Sequence, residues 1–596
     1  MIFRPTPSFT AVLSLCAALL SPLSHATAPA ASPTQSSRAD QAQNRAFDKL
    51  SHQFIEALWR TDSESALGAG RYEFADRLPA PDAAARAAQL AFAEDWLQRF
   101  HAVDTASLST RQRTDLGLLL NKLESDRWYL TSFRAHEWDP SIYGVAGSLD
   151  LILNTEYAPK PQRLRALLKR VAAIPAYYQA AQGNLKQLSH EHAQLAIKQA
   201  PGALGVLDDI AKAAATAALT QAEKAQFKER LAAARTAIQG FVDFVSALDA
   251  QQQRDNSGRS FRIGRELYDT KFALDIASGS NAEQTYQKAL SAREQLLQRM
   301  DGLADELWAK TMGSAAKPQD RTEKIGLVID KLSAKHVARE DFFKEIRRQI
   351  PVLQDWVVKH DLIGIDPKKP LVVRETPVYA RGVAGAGIQA PGPYRPQDRT
   401  YYDVTPLDGA SAEAAESTLR EYNHWILQIL NIHEAIPGHY TQLVYANRSP
   451  SLVKSLFGNG AMVEGWAVYG ERMMLESGYG DNAPEMWLMY SKWNLRSVTN
   501  TILDYSVHVL CMSEAEAIDL LTRQAFQTRQ EAIEKWHRVQ VSSVQLASYF
   551  SGYSEIMELR EERKKALGDK FNLKAFHEQF LSYGSAPVHV IRELMQ

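Results

Sequence analysis

The sequence predicts a mainly α-helical protein interrupted once by a small antiparallel sheet. Three observations predict it. From about residue 47 to 365, apolar residues recur at helical spacing in long Ala-, Leu-, Gln-, Lys- and Glu-rich stretches. Near residues 370–405 the texture switches to short β-branched and aromatic runs set between Gly and Pro. From Ser411 helical spacing resumes and continues almost to the last residue. With 596 residues, 45% of them hydrophobic and 23% charged, the chain can bury a large core as two to four domains or one two-lobed unit.

In chain order, residues 1–28 read as a secretory signal. Arg4 gives a thin positive start, Phe9 to Leu20 an apolar run, and Ala26-Thr27-Ala28 a cleavage site. Leu15, bulky where a lipid-modified cysteine wants a small neighbour, argues against lipidation of Cys16. Residues 29–39 are a polar linker. No later stretch approaches the ~20 apolar residues of a membrane span, so an exported, periplasmic protein without stable membrane insertion is expected. Loss of the signal leaves one cysteine, Cys511, whose apolar flank suggests an inert buried thiol. Residues 40–365 form a helical N-terminal region in which Phe47, Leu50, Phe54 and Leu58 share one stripe. Breaks are expected near Ser107–Ser109, Trp138–Gly147, Pro201-Gly202 and Gly313–Pro318. Residues 366–596 form the second region. Strands are expected at Leu371–Val373, Thr376–Tyr379 and Thr400–Val404, with the glycine-rich Gly382–Gly392 between them. Net charge is −1, from 68 Lys+Arg against 69 Asp+Glu, so no global basic field exists to collect nucleic acid.

The chemistry concentrates in Asn431-Ile432-His433-Glu434-Ala435-Ile436-Pro437-Gly438-His439. A zinc hydrolase of the HExxH type needs two histidines on one helical face and a glutamate between them to work on water. Here the second histidine is at i+6, roughly 120° away around an ideal helix. Pro437 and Gly438 lie between the two, and a broken turn there could return His439 to the metal. Glu464, 30 residues beyond Glu434, suits a third ligand on a return helix. Glu471 lies two turns further on the same face and could orient a ligand. Asp504 and His508 are spaced i, i+4, so the carboxylate could orient a histidine toward substrate. Tyr549 offers a phenol for a tetrahedral intermediate, and Arg538 a guanidinium for a substrate carboxylate.

The strings HEAIPGHYTQL, VEGWAVYGERMMLESGYGD, NTILDYSVHVLCMSEAEA and KWHRVQVSSVQLASYFSG closely resemble the bacterial family catalogued as domain of unknown function 885. The resemblance covers most of the mature chain and is sharpest from about residue 370. It implies a gluzincin-like zinc metallopeptidase whose helical fold has two lobes around a cleft. On this chain it implies zinc held by His433, His439 and Glu464, with Glu434 as general base and acid and His508 and Tyr549 as transition-state contacts. The expected substrate is a short or unfolded peptide, lying extended along an edge strand near Thr400–Val404. A zinc hydrolase of a non-peptide amide or ester would carry the same site. A non-catalytic exported helical binding protein with a vestigial metal site would have no need of Glu434.

Overall fold

The computed structural model describes residues 38–596 apart from 367, 370 and 383. The signal sequence, Cys16 and most of the linker lie outside the described residues. The linker's last two residues already belong to a helix, Arg38–Thr61. Its expected stripe is real: Phe47, Phe54 and Leu58 are buried and Leu50 packs against them.

Helices dominate, and the expected breaks hold at three of four places. Thr105–Ser107 is a 3₁₀ turn, Pro140–Tyr143 another, and residues 313–320 separate two helices. At Pro201-Gly202 the expectation fails. One helix, α1 (His190–Thr216), runs straight through Pro201. The glycine there answers a packing demand: a Cβ on Gly202 would sit 2.3 Å from the backbone nitrogen of Tyr379. With α2 (Gln221–Asp255), α1 builds a core of its own around Leu164, Leu207, Ile210, Phe227, Ile238 and Phe241. By length and composition alone α2 is apolar enough to cross a membrane, contrary to expectation, yet its apolar stripe is committed to this core.

A larger core joins side chains from both sides of residue 365. Phe54, Trp96 and Phe100 belong to it, and so do Leu430, Trp466 and Phe580. Along its length run α3 (Ala282–Met312), α4 (Phe342–Lys359) and the site-bearing helices described below.

The sheet has three strands, β1 (Leu371–Glu375), β2 (Ala386–Gln389) and β3 (Thr400–Val404), in the order β1-β3-β2. It is mixed, not antiparallel: β3 pairs with β2 antiparallel but with β1 in parallel, Val373 beside Tyr402. The link from β1 explains this. Pro377 has no N–H for a ladder, so residues 378–380 form a 3₁₀ turn, where a strand was expected, and Tyr379 docks against Gly202. The chain returns as β2 inside the glycine-rich stretch. β3 is therefore the central strand, and the expected peptide track along its edge does not exist there; the edges are β1 and β2.

Tyr402 of β3 is fully buried, and its hydroxyl donates to Asn431 Oδ1 at 3.0 Å. Asn431 Nδ2 in turn donates to Gln349 Oε1 of α4 at 2.7 Å. This polar chain ties the sheet and α4 to the start of the histidine motif.

Candidate metal centre

Helix α5 (Ile426–Glu434) brings His433 and Glu434 into the core at its last turn. There the helix breaks. The Ala435 and Ile436 amides both donate to Asn431 O, at 2.9 and 3.2 Å, and the Gly438 amide donates to Ile432 O at 2.9 Å. The turn thus folds back on the end of its own helix. A Cβ on Gly438 would lie 1.8 Å from His433 O, so only glycine fits. Trp466 Nε1 donates to Pro437 O at 2.9 Å and pins the turn from outside. Helix α6 (His439–Ala446) then restarts with His439 in its first turn. The two imidazoles end 4.7 Å apart between centroids and nearly perpendicular, at 87°. The i+6 spacing is accommodated by the broken turn.

The third group comes from α7 (Gly460–Glu476), whose start is fixed by Asn459 Oδ1 accepting the Met462 amide at 2.8 Å. Glu464 Oε2 lies 3.2 Å from His439 Nε2 and 3.5 Å from His433 Nε2. One atom from each of the three residues falls within 4.8 Å of the others. Ligands ~2.0–2.1 Å from a tetrahedral zinc stand ~3.3 Å from one another, so this set fits that ion's size and its preference for imidazole and carboxylate.

Behind the cluster, Glu471 is fully buried. Its Oε1 is 2.7 Å from His433 Nδ1 and accepts Trp493 Nε1 of α8 (Pro484–His508) at 3.0 Å. A carboxylate on Nδ1 leaves Nε2 as the ring's free donor atom toward a cation. The electrostatics agree. Burial alone would lower the His433 pKa, but Glu464 and Glu471 outweigh it and raise it to about 10. Burial pushes Glu464 up, yet the two histidines hold it well below the usual carboxylate range. Burial raises Glu471 against the pull of His433. The pocket therefore concentrates negative charge on two imidazoles, as a bound cation requires.

Glu434 is 6% exposed, and its Oε2 is buried without a hydrogen-bond partner. It lines a cavity of about 70 Å³ together with His433, Arg496, Lys535, Arg538 and Tyr549. Tyr549 enters from α10 (Ser548–Leu567), its ring centroid 6.2 Å from that of His433. Arg538 of α9 (Arg529–Val541) donates from Nη2 to the Tyr549 hydroxyl at 2.9 Å and to Gln545 Oε1 at 2.8 Å. Burial raises the Tyr549 pKa, while Arg538 draws it back. The crossing of α7 and α10 sets this geometry. A Cβ on Gly465 would lie 2.3 Å from the Gly552 carbonyl carbon, and one on Gly552 only 1.7 Å from Ala461 O. The helices meet backbone to backbone, one residue from Glu464 and three from Tyr549.

Asp504 and His508 do form a pair, with Asp504 Oδ1 at 3.6 Å from His508 Nε2, but they do not line the cavity. His508 Nε2 lies 2.9 Å from Val539 O, and its ring packs near Tyr268 and Phe261. Asp504 Oδ1 accepts the Val544 amide at 3.2 Å. Burial lowers His508 to about 4 and raises Asp504 to about 7. The transition-state role expected of His508 does not survive this placement. Cys511 is also misjudged by its neighbours: it is exposed, because the chain turns left-handed there (φ 61°) just past the end of α8. His577 is fully buried.

Sequence reasoning missed Lys535, Arg496 and Trp493. Lys535 lies three residues before Arg538 on one helical face, which is the only local signal for it. A larger cavity, about 490 Å³, lies between the sheet and the N-terminal helices, lined by Asp150, Arg374, Tyr379 and Tyr401, and includes no residue of the histidine cluster.

The family described as bacterial protein of unknown function, DUF885, matches residues 63–595. The chain belongs to this family. It is similar, at 52% identity and a TM-score of 0.80, to a solved protein of unknown function from Shewanella oneidensis, described as a candidate lipoprotein; the match covers 92% of this chain and 99% of that one. A second solved structure of similar fold, from Colwellia psychrerythraea and also described as a candidate lipoprotein, is 16% identical with a TM-score of 0.75, the match covering 92% of this chain and 98% of that one. No curated protein matches.

Proposed function

We propose that this DUF885 protein is an exported zinc metallopeptidase acting on short or unfolded peptides. One observation carries the reading: His433, His439 and Glu464 converge while the unpartnered carboxylate oxygen of Glu434 lines the same cavity. A purely structural site has no need of such a carboxylate. Bound zinc would supply Lewis acidity and a lowered pKa for water. Glu434 takes the attacking water's proton and returns it to the leaving amine. Tyr549, its hydroxyl held by Arg538, donates to the developing oxyanion. Glu471 fixes the His433 ring. Export is supported by the N-terminal signal pattern and by the description of both solved relatives as candidate lipoproteins.

The test begins with bound zinc per chain, measured by elemental analysis on protein purified from Pro29 onward, beside a His433→Ala control. About one zinc, lost in the control, is expected for a three-ligand site. A peptide library then follows, with Glu434→Gln keeping its zinc and losing hydrolysis by about 10²-fold or more. No tightly bound metal under zinc-replete conditions would overturn the proposal.

A further inference from the structure

Three basic side chains, Arg496, Lys535 and Arg538, line the cavity at His433 beside the single carboxylate of Glu434. Arg496 is paired: it donates to Glu531 and lies over the Trp493 ring, 4.5 Å from its centroid. Behind it, Glu421 is taken by Lys492 at 2.9 Å and by the Thr528 amide at 3.0 Å. Lys535 is 3% exposed, and its nearest carboxylate, 3.8 Å away, is the same Glu531 that Arg496 already holds. Arg538 spends Nη2 on two neutral oxygens, those of Gln545 and Tyr549, and its Nε is buried with no partner. Arg538, and Lys535 when protonated, therefore face the cavity without a close ion pair of their own; of the carboxylates nearby, Glu464 belongs to the histidine cluster and Glu434 lines the reactive side beside His433. Burying a charge in this way is unfavourable unless something pairs with it.

Resting on the peptidase reading, we propose that Lys535 and Arg538 form an anion subsite that binds a substrate carboxylate next to the scissile bond. Guanidinium and ammonium groups at i, i+3 on one face of α9 suit a planar, two-oxygen anion. The size agrees: the cavity of about 70 Å³ has room for a carboxylate. Burial, with Arg496 and Arg538 nearby, pushes the Lys535 ammonium far below its usual pKa, and a bound carboxylate would oppose that shift and favour the charged form. The reach is short. Arg538 holds the hydroxyl of Tyr549, whose ring centroid is 6.2 Å from that of His433, a distance that one or two residues at ~3.5 Å each can span. The anion is then either a peptide's own C-terminal carboxylate, making cleavage terminal, or an acidic side chain close to the cut.

The test separates these sources and separates this proposal from hydrolysis itself. Zinc-loaded full-length Glu434→Gln protein is titrated by calorimetry with three probes: acetyl-trialanine as free acid, the same peptide as C-terminal amide, and an amidated analogue carrying one glutamate. The free acid is expected to bind about tenfold or more tighter than the plain amide. If the glutamate analogue binds as tightly as the acid, the side chain is the source; if it binds as weakly as the amide, the terminus is. Lys535→Met and Arg538→Gln, added one at a time, should remove most of the preference, and Arg538→Lys should retain part of it. Equal affinity for acid and amide, or no binding of the acid at millimolar concentration by Glu434→Gln protein that circular dichroism shows to be folded, overturns the subsite whether or not the Lys535 and Arg538 variants fold. Selective binding of the acid with no peptide hydrolysed by the unsubstituted protein would instead sink the peptidase reading and leave the subsite standing.

Discussion

Replacing Glu471 with glutamine isolates what a buried carboxylate does for the histidine it holds. Both donors, His433 Nδ1 and Trp493 Nε1, converge on the same oxygen, Oε1, at 2.7 and 3.0 Å. A glutamine carbonyl at that point can still accept both, so the substitution removes charge while keeping the contacts. Hydrogen bonds assisted by a charge are worth about 1.5–3 kcal/mol and neutral ones about half that, so the ring loses on the order of 1 kcal/mol of orientation. The other oxygen, Oε2, has no partner, so the new amide nitrogen becomes a buried unsatisfied donor at a further cost of about 1–3 kcal/mol. Zinc affinity should fall by about tenfold in Glu471→Gln and nearer 100-fold in Glu471→Ala, the range seen when a ligand's outer partner is lost. Competition with a fluorescent chelator reads this directly, with circular dichroism confirming the fold. Both variants binding zinc as tightly as the parent while remaining folded would refute the orienting role.

Other sites give further tests. Gly552→Ala puts a methyl 1.7 Å from Ala461 O, so α7 and α10 must part by about 1.5 Å to reach ordinary contact; a loss of about 2–3 kcal/mol is expected in urea unfolding, and an unchanged midpoint would mean the crossing is looser than described. His577 is locked as a neutral ring, its Nδ1 2.8 Å from Leu362 O and its Nε2 2.7 Å from the Tyr469 hydroxyl, and burial lowers its pKa to about 4. Its folded value is below its unfolded value of 6.5, so this contribution is present above pH 6.5 and is lost as pH falls through 4; the full shift corresponds to about 3 kcal/mol. A His577→Gln variant whose stability falls as steeply as the parent's across that window would contradict it. Lys492→Met strands Glu421, both side chains being 2% exposed, and should cost about 3–5 kcal/mol, with Glu421→Gln added to it recovering part; a cost under about 1 kcal/mol would show the pair to be dispensable.

The helices were legible because amphipathic spacing is local, and the histidine motif because its odd spacing came with Pro437 and Gly438. What failed was non-local. Nothing within residues 371–404 says that β1 and β3 run parallel, and the link after β1 packs by Tyr379 on Gly202, about 180 residues earlier in the chain. Pro201-Gly202 looked like a helix break because a close approach and a turn ask for the same residue. The Asp504–His508 pair is real, but a helical repeat tells which residues share a face and not what that face meets. Lys535 and Arg496 escaped notice because a buried cation and a solvated one are the same letter. Cys511 was misplaced by apolar neighbours just past a helix end, where the backbone turns outward and Leu510 is itself half exposed.

The contact of Gly465 with Gly552 has a consequence for how this protein can change. At this crossing point the two helices have no side chain between them to swell, shrink or swap rotamers. The spacing between Glu464 and Tyr549 is then set at the crossing by van der Waals contact of backbone with backbone. Substitutions elsewhere in the core should therefore lower the amount of folded protein long before they alter this distance. Variation in reactivity among descendants of such a chain should come from the α9 side of the cavity, which is held by side chains and can drift.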